Sequence, residues 1–289
     1  MREALVMTFA VLFMGCGAHA GRAQMQNAVP LPDDAELIRV QSRAMSIYDT
    51  VRAASFATEQ MRLQGGADPG AWFLTVPLED GWYSLFGELD RAGTFIPAHA
   101  FKAPLEDAEQ VEPLPLDALP RDFSPEARAV QASMAASVEA FQRATVSPVV
   151  VLEDDGDITV YVLQGSVDVT RFALGGDMRF RYGPDGLTLR EAVKLHSNVF
   201  DIDTRPDQKT GELHAGSVHE HLLFGGPLET ELAMVMLYPE LGVVAVGHPS
   251  HPVVYVLVPN GTIRVLTQAP AQRRVLQPDG TFAPIDSDT

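Results

Sequence analysis

An α+β fold follows from three features of the chain. A long apolar-striped run lies near its start, short aromatic and β-branched runs follow between Gly- and Asp-rich turns, and the second half consists mostly of such short runs. The order predicts an N-terminal helix with a small antiparallel meander, then a C-terminal mixed domain.

Arg2, the apolar run from Ala4 to Gly15, and Ala18-His19-Ala20 read as a signal peptide over residues 1–20. The run is too short to span a bilayer. Two processing routes are open. Ala18-His19-Ala20 fits cleavage before Gly21, whereas Phe13-Met14-Gly15-Cys16 resembles a bacterial lipobox with Phe13 where Leu is usual, making Cys16 a lipidation site. Cys16 is the sole cysteine, so no intramolecular disulfide forms and stability must come from packing. The expected location is the periplasm, or the outer membrane for a lipoprotein anchored through Cys16.

Residues 21–32 are polar, carry two prolines and have no apolar period, as suits a tether. A helix starts at Asp33 or Asp34. Leu37, Val40, Ala44, Ile47, Val51, Ala54 and Met61 recur at helical spacing, and Gly65-Gly66 ends it. Runs at 72–76, 82–86 and 94–96 then form a meander, completing a subdomain over 33–103 with both tryptophans expected in its core. Residues 104–123 are proline-rich and acidic and read as a linker.

The C-terminal domain, 124–289, opens with a helix capped by Ser124 with Pro125 in its first turn, and Ser147-Pro148 stops it. Strands are expected at 149–152, 158–163, 178–182, 187–193, 199–202, 217–222, 243–246, 253–258 and 262–266. One short helix interrupts them, with Pro227, Glu229 and Glu231 in its first turn and Pro239 at its end.

Composition narrows the function classes. The 289 residues are 46% hydrophobic and 20% charged, which fits a folded globule. With 21 Lys and Arg against 38 Asp and Glu, the net charge of −17 excludes a general nucleic-acid binder, and anionic lipid would repel it. No later segment is long and apolar enough to span a membrane, so no transmembrane span is expected after processing. The chain lacks a Gly-x-Ser-x-Gly elbow, a phosphate-cradling loop and a dinucleotide fingerprint. His248-Pro249-Ser250-His251-Pro252 reads as an irregular loop. Glu153 to Asp157 lacks the alternation of a calcium loop and reads as a hairpin turn.

Histidines carry the metal chemistry. His196, His214, His219, His221, His248 and His251 crowd one stretch, and His219 and His221, two apart on a strand, project from the same face as a zinc site requires. Glu231 on the following helix is the nearest third ligand.

His219-Glu220-His221 on a strand, Pro227 to Glu231 opening a helix, and strands around Val243, Val253 and Thr262 together resemble the JAB/MPN family over about residues 215–266. Leu222 and Leu228 stand where that family has Pro and Ser, and Glu231 replaces its Asp one residue nearer the second histidine. The resemblance implies a JAB/MPN-like core in the C-terminal domain and a metal-binding role for His219, His221 and Glu231. No catalytic base announces itself; Glu153 and Glu191 are acids near predicted strands.

The expectation is therefore an exported envelope protein acting as a non-catalytic binding or structural module, with a protein or peptide partner and no obligatory cofactor. Its alternative is a zinc-dependent, peptidase-like hydrolase using His219 and His221.

Overall fold

The computed structural model describes residues 29–64, 73–166, 168, 170–206, 209, 211, 214–269 and 272–285. The signal stretch, Cys16, Gly65-Gly66, Trp72 and most of the tether lie outside the described residues. The fold is α+β: three α-helices, with four sheets among the described residues.

Helix α1 (Asp34–Leu63) starts where the Asp33 side chain accepts the Glu36 N–H at 2.8 Å. Strands β1 (Phe73–Leu78), β2 (Gly81–Leu89), β3 (Phe95–Ala103) and β4 (Glu112–Pro113) make one antiparallel sheet. Helix α2 (Ser124–Phe141) leads to β5 (Val146–Leu152) and β6 (Ile158–Gln164). These pair with β8 (Met178–Tyr182) and β9 (Leu189–Lys194), while β7 (Arg171–Gly175) pairs with β10 (Val199–Asp203).

The last sheet has six strands in sequence order: β11 (Gly216–Glu220), β12 (Val243–Gly247), β13 (Val253–Leu257), β14 (Ile263–Thr267), β15 (Arg274–Leu276) and β16 (Phe282–Pro284). Only β11 and β12 run parallel, and helix α3 (Glu229–Leu237) makes the crossover between them. Among the described residues no helix is long and apolar enough to cross a membrane.

Packing does not follow the expected division into 33–103 and 124–289. The first half of α1 (Leu37, Val40, Ala44, Ile47) shares a core with Leu232 to Met236 of α3 and with Val244, Tyr255 and Ile263 of the six-stranded sheet. Its second half instead places Ala53, Ala57 and Met61 against Trp82, Phe86 and Phe101 of the meander. Strand β6 is buried at every position. Tyr161 and Leu163 face the first core, while Val160 and Val162 face α2 and the meander. A strand buried on both faces makes its two flanking layers inseparable.

Three local expectations need correction. Residues 104–123 are not a plain connection, because Ala108 and Val111 are buried against the meander and Leu114 N–H donates to Ala100 O at 2.8 Å. Ser124 is not the cap of α2. Its hydroxyl donates to Asp122 Oδ1 at 2.6 Å and accepts the Phe95 N–H at 2.8 Å, so it ties helix to sheet. Nor does Ser147-Pro148 end that helix: Gln142, in a left-handed conformation, does, and both residues lie within β5. Strands β4, β7, β15 and β16 escaped the sequence reading.

Candidate metal centre

Three histidines and one glutamate converge where β9, β11 and α3 meet. The imidazole Nε2 atoms of His196, His219 and His221 lie 3.0, 2.5 and 2.9 Å from a single oxygen, Glu231 Oε1. His219 Nε2 is 3.3 Å from His221 Nε2, and the four donor atoms all fall within 4.8 Å of one another.

Each side chain is placed by its element. His219 and His221 share a face by strand alternation, and His221 N–H donates to Gly247 O at 2.8 Å, extending the parallel pairing one residue beyond β11. His196 follows β9, where Leu195 N–H donates to Asp177 O at 2.9 Å. Glu231 sits in the first turn of α3, its Oε2 accepting the Leu228 N–H at 3.0 Å. That bond is the carboxylate half of a capping box, and it turns Oε1 toward the imidazoles.

The loop behind His221 is braced by the start of the described chain. Gly226 O accepts the His221 Nδ1–H at 2.8 Å. A Cβ on Gly226 would meet the Pro32 ring at 2.5 Å, and one on Gly225 would meet Pro30 O at 2.1 Å, so only glycines let this segment lie flush. His251 Nε2–H donates to Val29 O at 2.6 Å and holds the same strap from its other side.

Burial makes the cluster electrostatically demanding. Glu231 is 0% exposed, with His196 and His221 also buried. Burial alone would raise the Glu231 carboxyl, but the His221 charge and bonds from all three imidazoles outweigh it and hold the group well below the usual range. For His196, burial acts to lower and the Glu231 carboxylate to raise; the carboxylate prevails. Asp177, behind His196, is pushed up by burial.

The His221 ring is oriented through its Nδ1. Gly226 O can only accept, so His221 Nδ1 carries a proton and Nε2 is the ring nitrogen left to face Glu231 Oε1. A buried carboxylate needs positive charge beside it, supplied by protons on these rings or by a cation held among them. For zinc–ligand bonds of about 2.0–2.1 Å, a tetrahedron has edges of about 3.3 Å, and the His219–His221 Nε2 separation of 3.3 Å matches one such edge. The four donors could hold a metal ion.

His219 is the ligand nearest the outside. Its side chain is 13% exposed and stacks on Phe200, and its Nδ1 has no hydrogen-bond partner. It borders a cavity of about 260 Å³ walled chiefly by Leu195, Phe200, Leu222, Leu223 and Phe224. Glu220 is the carboxylate that lines this cavity among the described residues.

Of the residues expected from sequence, His219, His221 and Glu231 are brought together, and Glu231 lies at their centre. His196 is the candidate ligand the spacing reading left out: it lies upstream of the 215–266 segment, and only the fold brings it in. His214, His248 and His251 stand outside the group. Glu153 is bonded to Arg43 and Thr159, and Glu191 lies opposite Arg179, so neither serves the centre. Compared with protein-family models, curated proteins and solved structures, the chain matches none of them.

Proposed function

We propose that this chain is an exported, non-catalytic metal-binding module of the cell envelope, holding zinc through His196, His219, His221 and Glu231. The observation that carries the reading is the convergence of three imidazole Nε2 atoms on one oxygen of a carboxylate that is 0% exposed. A divalent cation held among them balances the buried carboxylate.

Four protein donors complete the tetrahedral shell of a structural zinc site, and the second oxygen of Glu231 is engaged by Leu228. Imidazole and carboxylate ligands also suit an oxidising compartment, where a thiolate would be vulnerable. Export through residues 1–20, by cleavage before Gly21 or acylation of Cys16, and a protein or peptide partner complete the proposal. The JAB/MPN-like order of His219-Glu220-His221, the helix opening at Pro227 and the following strands supports the metal role of this segment.

One observation favours the hydrolase alternative: His219 borders the cavity and lacks a partner for its Nδ1. Release of His219 would leave three protein ligands and one open position, as catalytic zinc sites have.

Metal analysis of the purified chain, coupled to cobalt substitution, tests both. The module reading expects one zinc per chain, lost in a His219→Ala, His221→Ala double variant, and a cobalt spectrum of four protein ligands without bound water. A cobalt spectrum with an exchangeable water, together with metal-dependent peptide cleavage, would establish the hydrolase. No uptake of zinc or cobalt would end both.

A further inference from the structure

Behind the centre, two buried polar atoms face each other without bonding. Asp177 Oδ2 lies 3.7 Å from His196 Nδ1, and neither atom has a hydrogen-bond partner. Asp177 is 2% exposed and His196 6%, so solvent does not satisfy them. Such orphans are rare in folded proteins because each keeps the full penalty of its desolvation.

The turn that carries Asp177 is built around the His196 ring. Gly175 and Gly176 have φ of 83° and 71°, left-handed values that favour glycine. A Cβ on Gly175 would stand 3.2 Å from His196 Cγ and 2.7 Å from Asn198 O, so a side chain there would displace the ring. Gln164 Nε2–H donates to Gly176 O at 2.8 Å, and Leu195 N–H to Asp177 O at 2.9 Å. The backbone on both sides of the contact is therefore tied down. Only the side-chain gap remains, and it exceeds a normal hydrogen bond of about 2.7–3.2 Å by less than about 1 Å.

We infer that Asp177 is a positioning residue for the metal centre, its carboxylate accepting the His196 Nδ1–H and keeping Nε2 directed at the ion. The inference rests on the metal-centre reading above. A neutral imidazole has one proton to place. An acceptor at Nδ1 leaves the lone pair at Nε2, the atom that already points at Glu231 Oε1. Metal-bound histidines are commonly backed in this way by a carboxylate or carbonyl, which fixes the tautomer and strengthens the ligand. Gly226 O does this for His221, and Asp177 does it for His196; His219 has no such backing.

A double-mutant cycle on zinc affinity tests the assignment. Zinc binding to the full chain is measured by competition with a chromophoric chelator for wild type, Asp177→Ala, His196→Ala and the double variant. Asp177→Ala is expected to weaken binding about 10- to 100-fold in the wild-type background. In the His196→Ala background it should change nothing further, because a group acting only through the imidazole has lost its target. Equal losses in both backgrounds, or no loss in either, overturn the assignment.

A variant-free readout protects the test against misfolding. Long-range proton–nitrogen NMR of the zinc-loaded wild type should show a proton on His196 Nδ1 and none on Nε2, and the reverse pattern overturns the inference. A wild-type chain that binds no zinc overturns the centre itself. A wild-type chain that binds zinc with an indifferent Asp177→Ala overturns this inference alone.

Discussion

Glu229 and Glu231 stand two residues apart in the first turn of α3, both buried, and face opposite kinds of neighbour. Glu229 Oε1 accepts the Tyr161 hydroxyl at 2.9 Å and an Arg179 N–H at 3.2 Å. Those partners bring their own protons, and Arg179 brings a permanent charge. Glu231 Oε1 faces three imidazoles, of which His221 is also held at Nδ1 by Gly226 O. One carboxylate is paired with an arginine; the other is ringed by three imidazoles that together with it could hold a metal ion. Burial alone therefore does not mark a metal ligand. What distinguishes Glu231 is a set of imidazoles that can offer ring nitrogens to the same cation.

The largest test of this contrast is Glu231→Gln, which keeps the size of the side chain and removes its charge. Zinc affinity is expected to fall by more than about 100-fold, beyond what loss of an outer partner causes. Chelator competition measures it, and retained binding would place the metal elsewhere.

Glu229→Gln should do the converse. Breaking a fully buried pair costs about 3–5 kcal/mol, and since the Arg179 side chain is 24% exposed the expectation drops to about 2 kcal/mol. Urea denaturation of the metal-free chain reads that loss, while zinc affinity should stay within a few-fold of wild type. A comparable loss of affinity would show that the two glutamates act as one unit.

A finer distinction lies within the centre. His221 is held by Gly226 O and His219 by nothing at Nδ1, so His221→Ala should weaken zinc binding about tenfold more than His219→Ala. Equal losses would mean that the backing bond adds nothing.

The smallest effect concerns a reference carboxylate far from α3. Asp185 accepts the backbone N–H groups of Thr188 and Leu187 and the Thr188 hydroxyl, and these bonds lower it to about 2. A folded value below the unfolded one of about 3.9 means that its stabilisation is present above pH about 4 and fades as pH falls toward about 2. An NMR titration should give a midpoint of about 2; a midpoint of about 4 would show that bonds from N–H and O–H donors alone do not hold a carboxylate ionised.

Much of the secondary structure was legible because period and punctuation are local. The three- and four-residue recurrence from Leu37 to Met61 placed α1 nearly to the residue, and Asp-Gly and Asn-Gly pairs marked the hairpins at 153–157 and 260–261. The reading failed where tertiary contact overrode a local signal. Ala108 and Val111 sit in a proline-rich acidic stretch yet pack into the meander's core, and Ser124 gives its hydroxyl to a neighbouring segment rather than to its own helix. In the site, His219 and His221 were paired by strand alternation, and Glu231 was reachable through the next helix.

By itself, then, the order of residues determined the α+β class, the helices and most strands, and the histidine pair with its nearby glutamate, because each depends on neighbours within a few positions. The tertiary structure alone decided that α1 bridges the parts the sequence would separate, that His196 completes the donor set and that Asp177 stands behind it. Strand β9 and the turn before β8 meet β11 and α3 only through packing, and no spacing along the chain encodes a distance between segments that far apart.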